Sequence, residues 1–554
     1  MARARRWSPE REGVVDPYRS AAREARAEAP RDPGIVGDII AQFADPLAFY
    51  RELVQNSIDA GSPSIDVRLE YDPSAGAVRV AVRDRGEGMT RDILENQLLV
   101  LFRSTKEQDK TKIGKFGIGF ASVLAPNPEV VAVSTSRDGR RLALHLNRDL
   151  TYELYDGGPA TQTGTTVELD IAMPADQVAT FARSSIAALE RWCRHASVPI
   201  NVTAQLPSGE AITARIDRPL ALEGALVETR ATSDDGALLA IVGLTAPAGP
   251  YTGFFNHGLM LHETTEPLLG NVAVKLQDAR LGHTLSRDNV RRDAHFERAI
   301  EFARSLVGRA LPAAAATELR NAAEAGDHAR WWKLVRAFDD AKLELPKRSW
   351  WFPLIEPLGD RRAVEAGALS DAWSSHARTQ ITGLLAARGA PVLQCAANDR
   401  RFLAALVASV TGETLRDVAA ELTCVTPVVQ TDEDVALLAL VAEHLAAVYR
   451  APLAMTIATL AGVHAGVFAI AGEPGNTPYL VTDDQARRNP LGRKRQTLVI
   501  SESHAWYRAA RRCDPRTAAD LITRALLLGH ELLDVPRSTA LLERTLDQIG
   551  LELP

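Results

Sequence analysis

Three polar side chains in the stretch Phe49 to Gly61, FYRELVQNSIDAG, are spaced for joint work: Glu52, Asn56 and Asp59 recur at intervals of four and three residues. On a helix that spacing puts them on one stripe. A carboxylate and an amide so placed supply a proton acceptor and a neutral oxygen ligand, the pair that a magnesium–nucleotide site needs. Asp45 and Pro46 read as an N-cap and first helical residue, and Gly61 as the stop. Leu47, Val54 and Ile58 fall on the opposite side and give the helix a face to bury. Alone, such a helix is equally well read as one with a solvated polar face.

Two further signals follow. Val78 to Val82 alternates as a strand does and runs straight into Asp84-Arg-Gly86-Glu-Gly88-Met89. A carboxylate at a strand end can accept a hydrogen bond from an exocyclic amine, and the two glycines allow backbone to lie against a flat base. An ordinary Asp-Gly turn gives the same local pattern. Next, Gly114-Lys115-Phe116-Gly117-Ile118-Gly119-Phe120 opens the apolar run Ala121 to Ala125. A glycine-rich turn before a helix offers backbone N–H groups and the positive end of the helix dipole to phosphate.

Taken together, ExxxN at Glu52 and Asn56, DxGxG at Asp84, Gly86 and Gly88, and GxxGxG at Gly114, Gly117 and Gly119 resemble the ATP-binding fold of gyrase, the ninety-kilodalton heat-shock chaperones, histidine kinases and MutL, the GHKL superfamily. Gly164-Thr165-Thr166, leading into the strand Val167 to Ile171, sits where that superfamily closes its site with a threonine. The resemblance implies an N-terminal two-layer α/β sandwich of the Bergerat type, binding ATP and Mg²⁺. It implies Asn56 as metal ligand, Asp84 with Gly86, Gly88 and Met89 at the adenine, Gly114 to Phe120 around the phosphates, and Thr165 at the closing strand. Glu52 would be the general base that orients water toward the γ-phosphate. A kinase branch would need a phosphoacceptor histidine instead. The first 51 residues contain none, and the first histidine in the chain is His145.

Leu98 to Lys112 turns polar after Phe102 and is expected to form a lid, with Ser104-Thr105-Lys106 resembling the lid start of the heat-shock chaperones. Further on, Leu285-Ser-Arg287-Asp-Asn-Val290, ahead of the helix-like run Phe296 to Ala310, resembles a middle-domain segment of those chaperones whose arginine reaches the γ-phosphate, and Phe254 to Met260 resembles the strand and turn that precede that segment. By that resemblance Arg287 would act as an arginine finger.

The elements that must hold these residues set the expected organisation. We expect an α/β chain: a flexible arm over 1–33, an ATP domain over 34–175 ending near Met173-Pro174, and an α/β middle domain over 176–311 entered by a helix from Asp176 to Ala196. A helical connector with Trp331-Trp332 and Trp350-Trp351 spans 312–384, and a mixed, largely helical module spans 385–554. Leu453 to Ala471 reads as a buried helix followed by a strand. His530-Glu531 lacks the second histidine of HExxH, since Asp534 stands there.

Composition sets the remaining bounds. The chain has 554 residues, 46% hydrophobic, and a net charge of −6, which gives no general pull toward nucleic acid or anionic membrane. Its four widely spaced cysteines make neither a zinc pattern nor a disulfide framework and fit a reducing cytoplasm. The resemblance implies a chaperone-like clamp whose partners are ATP, protein clients or a pathway partner, and a second copy in a homodimer, with no membrane. The alternatives are a MutL- or MORC-like ATP-gated clamp on DNA, or an ATPase switch controlling a C-terminal effector module.

Overall fold

The alternating burial of Ile65–Asp72 and Ala77–Asp84 turns one face of a sheet toward a core and the other toward solvent. The computed structural model describes residues 45–99, 119–284, 289–449, 454–489, 491 and 496–548, with the backbone alone of 22–27. Contacts divide the chain into two units, Met1–Leu311 and Pro312–Pro554.

In the first unit, β1 (Ala22–Ala27), β2 (Ile65–Asp72), β3 (Ala77–Asp84), β4 (Val130–Arg137), β5 (Arg140–Asn147), β6 (Tyr152–Pro159), β7 (Gly164–Ala172), β8 (Ile200–Gln205) and β9 (Ala211–Arg215) form one sheet. Their order is β1-β6-β5-β4-β7-β3-β2-β8-β9, antiparallel except where β8 lies parallel to β2. Helices α1 (Phe49–Asp59) and α2 (Val178–Cys193) bury their apolar faces in the same core as this sheet, giving the two-layer α/β sandwich. The fully buried Phe49, Tyr50 and Val54 anchor α1, each such side chain contributing about 1.5–3 kcal/mol of transfer free energy. A boundary near residue 175 therefore cuts through this layer. Met173-Pro174 marks only a loop, after which α2 crosses back and returns the chain to the sheet as β8 and β9.

The remainder of this unit is a second sheet of β10 (Val227–Thr232), β11 (Leu238–Leu244), β12 (Tyr251–Asn256), β13 (Leu259–Thr264) and β14 (Ala273–Asp278), in the order β10-β11-β14-β12-β13. Leu259, beside the turn between β12 and β13, is buried in the core of the first sheet. Beyond this sheet the chain is α-helical over Ala294–Ser305 and continues as a π-turn over Leu306–Ala310.

The second unit combines helices with two five-stranded sheets. Trp351–Leu358, Arg361–Glu365, Trp373–Ser375, Val392–Gln394 and Arg416–Asp417 make the first of these sheets. The connector expected to be helical is helical over Leu311–Ala325 and His328–Ala341, but strands take over from Trp351 onward, and a division at residue 385 would separate Trp373–Ser375 from its partner Val392–Gln394. Trp331, Trp350 and Phe352 pack together, and the Trp331 ring N–H donates to the Trp351 carbonyl at 2.7 Å, so the tryptophan clusters build this unit's interior. Leu453 to Ala471 corrects another expectation: Ala454–Gly462 and Ala469–Gly472 are both strands. Ala454–Gly462 is paired on both edges, with Leu422–Pro427 and Thr497–Ser501, and those ladder hydrogen bonds outweigh the helical preference of its alanines and leucine.

Candidate functional site

Helix α1 starts one turn later than its sequence signals suggest. The Asp45 carboxylate accepts the Leu47 N–H at 2.8 Å and its carbonyl accepts that of Ala48 at 3.0 Å, so Asp45 caps a turn that leads into the helix. At the other end the Ser62 N–H reaches the Ser57 carbonyl at 3.0 Å and that of Gly61 reaches Ile58 at 2.9 Å, with Gly61 at φ +68°. This is the glycine-terminated Schellman pattern. The tight ending aims Asn56, Ser57 and Ala60 at the end of β3.

There the chain builds a cavity. Leu53, Asn56, Ser57 and Ala60 line it from α1, Val82 and Asp84 from β3, and Gly88 and Met89 from the following turn. Val133, Thr165 and Val167 close it from β4 and β7, and Phe120, Ile93, Gln97 and Leu98 complete it. The last two belong to a π-turn, Leu94–Leu98, a distortion that recurs beside functional sites. The floor is apolar, with a few polar atoms aimed inward, as small-molecule sites generally are.

Asp84 is the best-held of those polar groups. Its Oδ1 accepts the N–H of Gly86 at 2.8 Å and of Thr165 at 3.1 Å, while Ser57 Oγ lies 3.5 Å from Oδ2 and donates chiefly to the Leu53 carbonyl at 2.9 Å. One carboxylate oxygen is thus committed to the backbone and the other keeps acceptor capacity. Burial pushes the Asp84 carboxyl above the ordinary carboxylate range, opposed by the Gly86 and Thr165 N–H groups and by Ser57. Thr135 fastens the turn to the sheet, since its Oγ1 accepts the Met89 N–H at 2.8 Å and lies 3.0 Å from Thr165 Oγ1.

Both glycines of the turn are required by contact. A Cβ on Gly86 would stand 2.6 Å from the Ala60 carbonyl oxygen, and one on Gly88, at φ +70°, would stand 2.2 Å from that of Ser136. Gly88→Ala is expected to cost about 2 kcal/mol or more in stability, from the left-handed backbone and the collision together. It should also weaken ligand binding in the cavity at least about tenfold, because Met89 is drawn away from Thr135. Thermal unfolding and equilibrium titration check the two effects.

Not every expected residue meets at the cavity. Asn56 is exposed at its edge, and Asp59 is exposed too, bonded to Gln55 Nε2 at 2.9 Å. Glu52, one turn before Asn56, is outside the lining. It is 8% exposed and pairs with Arg51, Nη2 to Oε1, at 3.3 Å. Of the glycine-rich loop, Gly119 and Phe120 open a short helical segment, and Phe120 is buried. Lys106, Gly114, Lys115, Phe116, Gly117, Ile118 and Arg287 lie outside the described residues. Ser57 and Thr135 were not singled out from the sequence. A serine breaking the buried stripe of α1 was the available signal for the first, and a threonine at an inward register of β4 for the second.

Comparison with known proteins agrees with this geometry. Residues 50–157 match the family described as histidine kinase-, DNA gyrase B-, and HSP90-like ATPase. The chain is 26% identical over 193 residues to the chaperone protein HtpG of Bordetella parapertussis, covering 29% of each. It is 28% identical over 145 residues to the DNA mismatch repair protein MutL of Thermosipho africanus, covering 24% of each. To MutL of an Anaeromyxobacter species it is 31% identical over 147 residues, 25% of this chain and 23% of that protein. The matches thus span less than a third of the length of these relatives.

Proposed function

We propose that this chain, whose N-terminal part is a GHKL ATPase domain, binds Mg-ATP in the cavity between α1, β3 and β7 and hydrolyses it to drive a molecular clamp. The observation that carries the reading is Asp84: a buried carboxylate with one oxygen bound to two backbone N–H groups and the other at an apolar cavity, which suits an exocyclic amine on a flat base. Asn56 at the cavity edge offers an amide oxygen to Mg²⁺. A single protein ligand fits an ion that keeps most of its shell as phosphate oxygens and water, and among the described residues no group of three His, Cys, Asp or Glu side chains is placed to hold a metal. Bound there, the ion would neutralise phosphate charge.

In this reading Glu52 takes a proton from the attacking water, Thr165 closes the adenine side, and Lys106 with Gly114 to Phe120 encloses the phosphates. Arg287 stabilises the charge that develops on the transferring phosphoryl oxygens. Arg287→Ala is expected to lower kcat by about a thousandfold with nucleotide affinity nearly unchanged, as for other arginine fingers. An unaltered rate would remove Arg287 from the reaction.

Chaperone-type remodelling of protein clients is the use we favour, because the match to HtpG runs over 193 residues against 145 for MutL of Thermosipho. The comparable identity to MutL supports a second reading, an ATP-gated clamp on DNA. Two assays separate them. ATP-dependent suppression of aggregation of an unfolded protein is the expected result, whereas DNA binding that weakens steeply with salt would favour the second. Light scattering with and without a non-hydrolysable ATP analogue tests the homodimer.

A further inference from the structure

A charged, half-buried cluster sits behind Glu52, outside the nucleotide cavity. Trp192, near the end of α2, has two guanidinium groups over its ring: Arg51 Cζ is 4.9 Å from the ring centroid and Arg191 Cζ is 4.6 Å. From there Arg51 reaches Glu52, and the two side chains are 6% and 10% exposed. Arg191 reaches the second sheet, its Nε lying 3.4 Å from Glu263 Oε1 on β13. The indole Nε1 is buried and has no hydrogen-bond partner among the described residues, so contact through the ring face is what the tryptophan supplies.

Arg51 and Glu52 are consecutive on a helix, and consecutive side chains leave it about 100° apart. Their ion pair therefore exists only because the long arginine bends back toward its neighbour. An aromatic face beneath the guanidinium selects that bent rotamer: the stacking is attractive, it is stronger where water is excluded, and the planar fork stays free to hold a carboxylate at its edge. Removing the ring would take away a contact that holds Arg51 in this rotamer and leave Glu52 aimed less narrowly. A catalytic base displaced by an ångström loses rate while the binding of substrate elsewhere is untouched.

We propose that Trp192 is a positioning residue for Glu52, acting through Arg51, and that its second guanidinium contact ties this support to the second sheet through Arg191 and Glu263. The inference rests on the reading of Glu52 as general base. Trp192→Leu should lower kcat about tenfold with ATP affinity by equilibrium titration within about twofold of the parent, a split that loss of fold would not produce. Trp192→Phe, which keeps an aromatic face, should recover most of the rate. In an Arg51→Leu background the Trp192→Leu change should add nothing, because its route to Glu52 is already gone.

Thermal unfolding of each variant identifies any rate lost to instability. Parent turnover that survives Glu52→Ala removes the base assignment and the inference with it. Turnover that depends on Glu52 but is equal in Trp192→Leu, or a Trp192→Leu effect that persists undiminished without Arg51, overturns the inference alone.

Discussion

Glu52→Ala is expected to abolish nucleotide turnover, lowering kcat at least about a hundredfold, while ATP affinity changes by no more than about threefold. The two effects separate because of where Glu52 lies. It is a buried residue one turn back from Asn56 and outside the cavity lining, so its removal leaves the Asp84 acceptor and the Asn56 oxygen in place. The substitution also strips one partner from the buried Arg51, and breaking a buried ion pair costs up to about 3–5 kcal/mol. Glu52→Gln keeps the volume and a hydrogen-bonding oxygen beside the guanidinium, so it should unfold closer to the parent while turning over as little. Single-turnover kinetics, equilibrium titration and thermal unfolding on both variants decide the matter. Hydrolysis equal to the parent's in the glutamine variant would remove Glu52 from the mechanism.

Asp84→Asn should be the most damaging change for binding and among the mildest for the fold. The oxygen that accepts from Gly86 and Thr165 must remain an oxygen, which turns the new amide NH₂ toward the cavity and sets donor against donor at an exocyclic amine. About 3 kcal/mol is lost, or a hundredfold or more in affinity. Stability runs the other way. Because burial raises the Asp84 carboxyl above its unfolded value, the native state favours the protonated form. Asp84 then contributes most to stability below its unfolded pKa, and that contribution falls as pH rises through the raised folded value. At neutral pH the asparagine variant should therefore unfold at the same temperature as the parent or higher. The ionised acid is the acceptor for the base, so parent nucleotide affinity should decline as pH falls through the raised folded value, at a higher pH than an ordinary carboxylate would give. The asparagine variant should show no such step. Titrations across pH, with unfolding measured at each point, test both signs.

That Asn56 and Asp84 face the cavity was legible in the sequence because helix and strand periodicity alone fix which face a residue takes, and Gly61, Gly86 and Gly88 were legible because few other residues fit a left-handed backbone or a close approach. The same periodicity puts Glu52 on the stripe of Asn56, yet it lies outside the cavity lining. Ser57 and Thr135 were not legible. Each is an ordinary small polar residue until α1 is laid against the end of β3 and β4 is paired with β7, and those pairings join residues far apart in the chain. The same non-local pairing hid the extent of the first sheet: nothing in Ile200–Gln205 says that it will lie parallel to β2. It also made a strand of Ala454–Gly462, a segment whose composition suits a helix, by bonding it on both edges.

Caps, glycines and periodicity act over a few residues, so the motif signature and the local frame that presents it can be read directly along the chain. It is the long-range packing that makes Asp84 offer one oxygen to the cavity while the backbone holds the other. It alone brought Trp192, 140 residues beyond Glu52, against the arginine that holds that carboxylate. Both outcomes depend on which distant surfaces bury each other, and that is set by the packing of the whole unit.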